Sequence, residues 1–198
     1  PNPAMLPTKH MSHQIIYLNG PSSAGKTTLG RALQRALPEP FLLLCMDMLV
    51  DAMPPQLNDW TGQQKTDGYS YVSVPTASGE PMFQLCIGPF AQRLQPALQQ
   101  IIIVLAAQGF NLIIDDVAFG KAQVDLYREA LKEYQVLWVG IKVSLEVLEA
   151  REKTRGDRLI GSARDQAEKV HRDVVYDLEL DTSRMAVEEA VNQVLSRW

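Results

Sequence analysis

The sequence predicts an α/β domain, with helices covering a five-stranded parallel sheet. Two observations carry that expectation. Short, almost continuously apolar runs recur along the 198-residue chain, and segments of helical period separate them. The length also fits one domain with a sizeable core.

Five runs read as buried strands: Gln14–Asn19 (QIIYLN), Phe41–Met46 (FLLLCM), Asn111–Asp115 (NLIID), Val136–Val143 (VLWVGIKV) and Leu178–Asp181 (LELD). They do not alternate apolar with polar, as strands covered on both faces need not. A helix is expected over Lys26–Leu37, stopped by Pro38 and Pro40. A second is expected over Pro89–Gln108, with Pro96 kinking or breaking it. Val124, Tyr127, Leu131 and Tyr134 form one helical stripe, and Val187, Ala190, Val191, Val194, Leu195 and Trp198 form another. Their aromatic members read as core packing.

Two stretches break the alternation. Pro54–Pro89 is rich in Gly, Pro, Ser and Thr and contains an alternating YSYVSV at Tyr69–Val74, a candidate hairpin strand. Arg151–Arg172 carries five arginines around TRGDRLIGS. In an α/β domain such segments sit over the carboxyl ends of the strands, where ligands bind. They are therefore read as an acceptor-side insert (54–89) and a lid (151–172) within a single domain, 13–198. Residues 1–12 lack the basic and apolar regions of a secretory signal, and read as a tag or leader outside the fold.

Net charge is −4 and the pI is near 5.4, which argues against a nucleic-acid partner. The longest apolar run, Ile101–Ala107, is too short to span a bilayer, so no membrane partner is expected. Cys45 and Cys86 in apolar surroundings read as reduced thiols of a cytoplasmic protein. His10, His13 and His171 are too scattered to suggest zinc. Oligomeric state leaves no mark in the pattern.

Chemistry begins where the first strand ends. Gly20, Pro21, Ser22, Ser23, Ala24, Gly25, Lys26 and Thr27 match G-x-x-x-x-G-K-[ST], with Thr28 following. Small residues let backbone N–H groups turn inward around a phosphate. The helix that follows presents its free amides to the same anion. Lys26 supplies a charge for the outer phosphates, and the Thr27 hydroxyl can hold Mg²⁺. With glycine near ~7% of residues, a chance match in this chain is on the order of one per cent. The loop reads as a nucleoside triphosphate site.

A GTP-dependent switch would need N-K-x-D after a late strand. The nearest string, QKTD at Gln64–Asp67, lies in the polar insert. A kinase needs an acceptor-side base, an acid for the metal and cations on the transferring group. Asp47 ends the second strand, where a carboxylate can accept a proton from a substrate hydroxyl, or cap the next helix. Asp51, one turn later, is a second candidate for the same wall. Asp115 and Asp116 follow an apolar strand beside the loop, and one of them should serve Mg²⁺. Alternation points them to opposite faces, and Asp115 better fits the hydrophobic-run-then-Asp pattern. Arg155 and Arg158 bracket Gly156, where a helix falters, and read as phosphate-contacting groups. Arg151 and Arg164 are open between that role and a solvated helix face.

On LNGPSSAGKT, LPEPFLLLCMDMLVDAMP, LIIDDV, VLWVGIKV, TRGDR and VHRDVVYDLELDTS, the chain resembles the chloramphenicol phosphotransferase family of P-loop kinases. The resemblance implies a P-loop kinase fold with strand order 2-3-1-4-5 and ATP-dependent phosphorylation of a hydroxyl on a small molecule. It also implies Asp47 as the base and Arg155 and Arg158 on the phosphates. Chloramphenicol, and with it antibiotic resistance, is the substrate the family suggests. The likeness weakens across Asn58–Pro89, so a sugar or nucleoside acceptor stays open, as does a nucleotide-binding protein without transfer chemistry.

Overall fold

A computed structural model of the protein describes residues 14–76, 79, 82–155, 159 and 161–198, with the side chain of Arg155 excepted. The expected leader 1–12, Gly156 and Arg158 lie outside the described residues. The first strand, β1 (Gln14–Asn19), shows why the strands lack alternation. Ile16 and Leu18 enter one core, whereas Ile15 and Tyr17 enter another on the opposite face.

Along the chain follow α1 (Lys26–Ala36), β2 (Phe41–Cys45), α2 (Asp47–Asp51), β3 (Tyr69–Val74), β4 (Met82–Ile87) and α3 (Leu94–Ala107). Next come β5 (Asn111–Asp116), α4 (Lys121–Ala130), β6 (Gln135–Lys142), α5 (Leu145–Arg155), α6 (Ser162–Lys169), β7 (Leu178–Asp181) and α7 (Val187–Arg197). The main sheet is parallel throughout, in the order β2-β5-β1-β6-β7. Counted by its own strands, this is 2-3-1-4-5, the order the resemblance implies. The sequence order reverses around β1, so the loop leaving β1 opens at the switch point where open α/β sheets bind ligands.

Leu29 and Leu33 of α1 and Val191 and Val194 of α7 cover one face of the sheet. Leu98, Ile102 and Ala106 of α3, with Tyr127 of α4 and Leu131 just after it, cover the other. Burying a side chain such as Leu33 completely contributes about 1.5–3 kcal/mol.

Several boundaries differ from expectation. Pro96 neither kinks nor breaks its helix. It is the third residue of α3, within the first turn, where a missing N–H leaves no intrahelical bond unmade. Residues Ala91–Arg93 before it form a single 3-10 turn. β2 ends at Cys45, and Asp47 is the first residue of α2 rather than its cap. Tyr69–Val74 is indeed one strand of a hairpin. Its antiparallel partner is β4, with Tyr69 opposite Ile87 and Val74 opposite Met82. This small sheet stands apart from the main one. Cys45 and Cys86 carry free thiols, and no helix among the described residues is long and apolar enough to cross a membrane.

Candidate active site

The loop from Gly20 to Thr27 follows directly from β1, and its neighbours dictate its composition. A side chain at Gly20 would put its Cβ 2.7 Å from the Ile141 carbonyl oxygen of β6. Gly25 takes φ 92°, a left-handed conformation that glycine adopts at no steric cost, and α1 begins on the next residue. Ser23 also stands at positive φ, 63°, a strain that a non-glycine residue tolerates where surrounding contacts impose it.

Those contacts come from distant parts of the chain. Arg151 on α5 donates to the Ser23 carbonyl at 3.3 Å and to the Thr182 carbonyl at 2.8 Å. The Thr182 hydroxyl donates to the Ala24 carbonyl at 2.8 Å. Gln166 on α6 accepts a hydrogen bond from the Ser22 N–H at 2.7 Å. Inside the loop, the Lys26 ammonium, only 6% exposed, donates to the Pro21 carbonyl at 2.9 Å. It lies 3.6 Å from Asp115.

Strand alternation separates the two adjacent acids. Asp115 shares the parity of Ile113 and faces α1, where its carboxylate accepts a hydrogen bond from the Thr27 hydroxyl at 2.5 Å. Asp116 shares the parity of Ile114 and accepts from the Tyr17 hydroxyl at 2.6 Å and from the Val117 N–H at 2.9 Å. Burial raises the pKa of Asp116 and pushes the Tyr17 phenol well above its ordinary range. Of the pair, Asp115 is thus the one beside the loop. One hydroxyl and one carboxylate, both hard oxygen donors, fit Mg²⁺, which takes few protein ligands and completes its shell with phosphate and water. Among the described residues no cluster of three His, Cys, Asp or Glu offers a fuller protein cage.

A cavity of about 1310 Å³ spreads from the loop across the carboxyl ends of the strands. Asp47, Asp51 and Asp116 line it, as do Trp60, Tyr69 and Tyr71 opposite the loop. Trp60 stacks on Tyr69 with centroids 6.2 Å apart and leans on Tyr71 at 5.8 Å. Both tyrosines are buried, but Trp60 remains 40% exposed. Asp47 and Asp116 both act on the Tyr69 phenol, which burial chiefly pushes up to about 12. Asp59 fixes the turn that carries Trp60. Its carboxylate accepts from the Thr61 hydroxyl and from the N–H groups of Thr61, Gln63 and Gln64 at 2.5–3.0 Å. These bonds hold its pKa down at about 2, the Thr61 hydroxyl contributing most.

Behind the loop, Asn19 closes a network that joins β1 to the end of α6. Its side-chain amide donates to the Tyr176 hydroxyl at 2.9 Å and to the Val170 carbonyl at 3.3 Å. His171 Nε2, 3.1 Å from the Ile141 carbonyl, must be the protonated nitrogen, so Nδ1 accepts from Tyr176 at 3.0 Å. Burial, with Lys142 second, lowers the His171 pKa to about 4.

The structure therefore brings the residues from Ser22 to Thr28, together with Asp47, Asp51 and Asp115, around one cavity, whereas Gly20 and Pro21 do not line it. Arg164 is ion-paired with Glu149 on α5. Arg158 lies outside the described residues, as does the side chain of Arg155. Sequence reasoning missed Gln166, Thr182 and Trp60. Gln166 and Thr182 are isolated polar residues whose significance arises only from contacts across more than a hundred positions. For Trp60 a signal existed, because a tryptophan beside an alternating aromatic strand is uncommon in a solvated loop.

A parallel sheet of this order, a phosphate loop at its switch point and paired acids around one cleft define a P-loop phosphotransferase, a nucleotide-binding enzyme of the kinase type. Residues 13–198 match the family described as chloramphenicol phosphotransferase-like protein, and the chain belongs to it. A relative from Mycobacterium tuberculosis, named "Putative O-phosphotransferase", is 32% identical over 181 residues, 91% of this chain and 80% of its own length. The APS kinase of Mycobacterium tuberculosis in complex with AMPPNP and APS has a TM-score of 0.63 at 14% identity, covering 93% of this chain and 96% of its own. The Deinococcus radiodurans tunicamycin resistance protein scores 0.57 at 16% identity, over 93% and 94%. A Sinorhizobium meliloti gluconokinase scores 0.56 at 14% identity, over 93% and 90%. At such identities these structures establish the fold. Family membership makes the substrate a small molecule.

Proposed function

We propose that the protein transfers the γ-phosphoryl group of ATP to a hydroxyl of a small-molecule acceptor, with Asp47 as the general base. The observation that carries this reading is the position of Asp47, on a cavity shared with the phosphate loop and the Thr27–Asp115 pair. Residues Gly20–Thr28 cradle the phosphates, and Lys26 neutralises charge on the outer ones. Thr27 and Asp115 would hold Mg²⁺, which supplies charge neutralisation of the phosphate oxygens. Asp47 accepts the acceptor's proton as the new O–P bond forms, and ADP leaves from the loop. The single domain over 13–198 has the insert 54–89 shaping the acceptor pocket and 151–172 closing over the nucleotide. Arg155 and Arg158 contact the phosphates from that span.

Chloramphenicol is the first acceptor to test. The family supports it, and so does the exposed Trp60 indole, stacked on Tyr69, which offers an aromatic face to a ring. ADP release from Mg·ATP is measured with chloramphenicol, with sugars and nucleosides, and with no acceptor. Acceptor-dependent ADP, with a product heavier by one phosphoryl group, is expected. Nucleotide binding with no stimulation by any acceptor would make the protein a nucleotide-binding module instead.

A further inference from the structure

Gln166 on α6 is 4% exposed and lines the cavity beside the loop, yet only one end of its amide is engaged. A backbone N–H can only donate, so the atom facing Ser22 N at 2.7 Å is Oε1, and the amide orientation follows from the network. The Nε2 group then carries two donors with no partner among the described residues. We infer that Gln166 Nε2 donates to an oxygen of the outer phosphates of the bound nucleotide, making α6 a phosphate-contacting element. This rests on the nucleotide-site reading of the loop.

Three features point to an anion rather than to protein. Three of the loop carbonyls already accept from side chains: Pro21 from Lys26, Ser23 from Arg151 and Ala24 from Thr182. Gln166, Lys26 and the loop line one cavity, so the free donors of Nε2 face the space in which the loop's amides and dipole favour an anion. Moreover, Oε1 and Nε2 end one planar amide, so an oxygen pinned to the loop keeps the nitrogen beside the anion the loop encloses. The helix is itself held in register. Glu152, 1% exposed, accepts from the N–H groups of Gly161 and Ala163 and from the Ser162 hydroxyl. Gln166 thus approaches from a fixed base.

Substitution Gln166→Glu separates the two ends of the side chain. It keeps an oxygen for Ser22 and replaces the donor with a negative charge. Dissociation constants for ATP, ADP and AMP with Mg²⁺ are measured by calorimetry on the full chain, with unfolding temperatures taken without nucleotide. The Glu variant should bind ATP at least tenfold more weakly and AMP as wild type does, at a near-unchanged unfolding temperature. Gln166→Ala should lose ATP affinity by a smaller factor. Wild-type ATP affinity in the Glu variant would overturn the inference, showing that only the oxygen matters. If the Glu variant does not fold, Gln166→Met decides: a loss confined to ATP and ADP supports the phosphate contact, and unchanged binding or an equal loss for AMP overturns it. A wild-type protein that binds none of the three nucleotides would overturn the nucleotide reading itself, and the inference with it.

Discussion

The two sides of the cavity are built differently. The nucleotide side grows out of the main sheet: its loop leaves the central strand, and Thr182 just after the last strand, Arg151 of α5 and Gln166 of α6 bind its carbonyls and one amide. The proposed acceptor side hangs on a two-stranded hairpin outside that sheet. A small cluster around Met53, Tyr69 and Ala91 and the turn bonds of Asp59 hold it. A phosphate group has one shape and tolerates little displacement, so its cradle is tied to the most rigid part of the molecule. An acceptor pocket borne on a hairpin can change its lining without disturbing the sheet.

The sharpest test of this division is Asp47→Asn. Losing the base should lower kcat by roughly 10²–10⁴-fold, while calorimetry finds ATP affinity near wild type. Lost nucleotide binding would mean that Asp47 belongs to the rigid side. Next comes Asp115→Asn, which should raise the Mg²⁺ concentration needed for half-maximal activity by roughly 10–100-fold. An unchanged Mg²⁺ titration would remove Asp115 from the metal. On the hairpin, Trp60→Ala should raise the acceptor KM about tenfold, the scale of one lost aromatic contact with its buried area. It should leave the KM for ATP alone, and steady-state kinetics with each substrate varied reads both.

The smallest effect concerns pH. His171 is neutral in the fold, with its pKa lowered to about 4, whereas an unfolded imidazole titrates near 6.5. Between these values the unfolded chain binds the extra proton. The contribution of His171 is therefore complete above about pH 6.5 and is lost as pH falls toward 4. His171→Gln, which can still donate to Ile141, should flatten the drop in unfolding temperature between pH 7 and 5 by about 2–4 °C, a range already reduced because the side chain is partly exposed. A drop as steep as in wild type would place the acid sensitivity elsewhere.

How much of this is legible in the sequence follows the same division. The strands of the main sheet announce themselves as apolar runs because both of their faces are covered, and the loop's spacing is dictated by the phosphate it cradles. Asp47 and Asp115 are readable because each directly follows such a run. β4 is not readable. Its residues MFQLCI are mostly half exposed, so no alternation distinguishes them until Tyr69–Val74 is known to pair there. Pro96 misleads because its effect depends on which turn of the helix it occupies. Gln166 carries no local signal at all, since one glutamine on a polar helix looks like any other until α6 is packed on the loop.

Arg151 and Thr182 have a consequence for how the protein is made. The groups that hold the Ser23 and Ala24 carbonyls of the phosphate loop are synthesised well over a hundred residues after the loop itself, Thr182 the later of the two. A nascent chain halted before Thr182 has the complete motif but not its bracing. The braced loop thus exists only once Thr182 has been made, and a fragment that stops short of β7 carries the signature of a kinase without that brace.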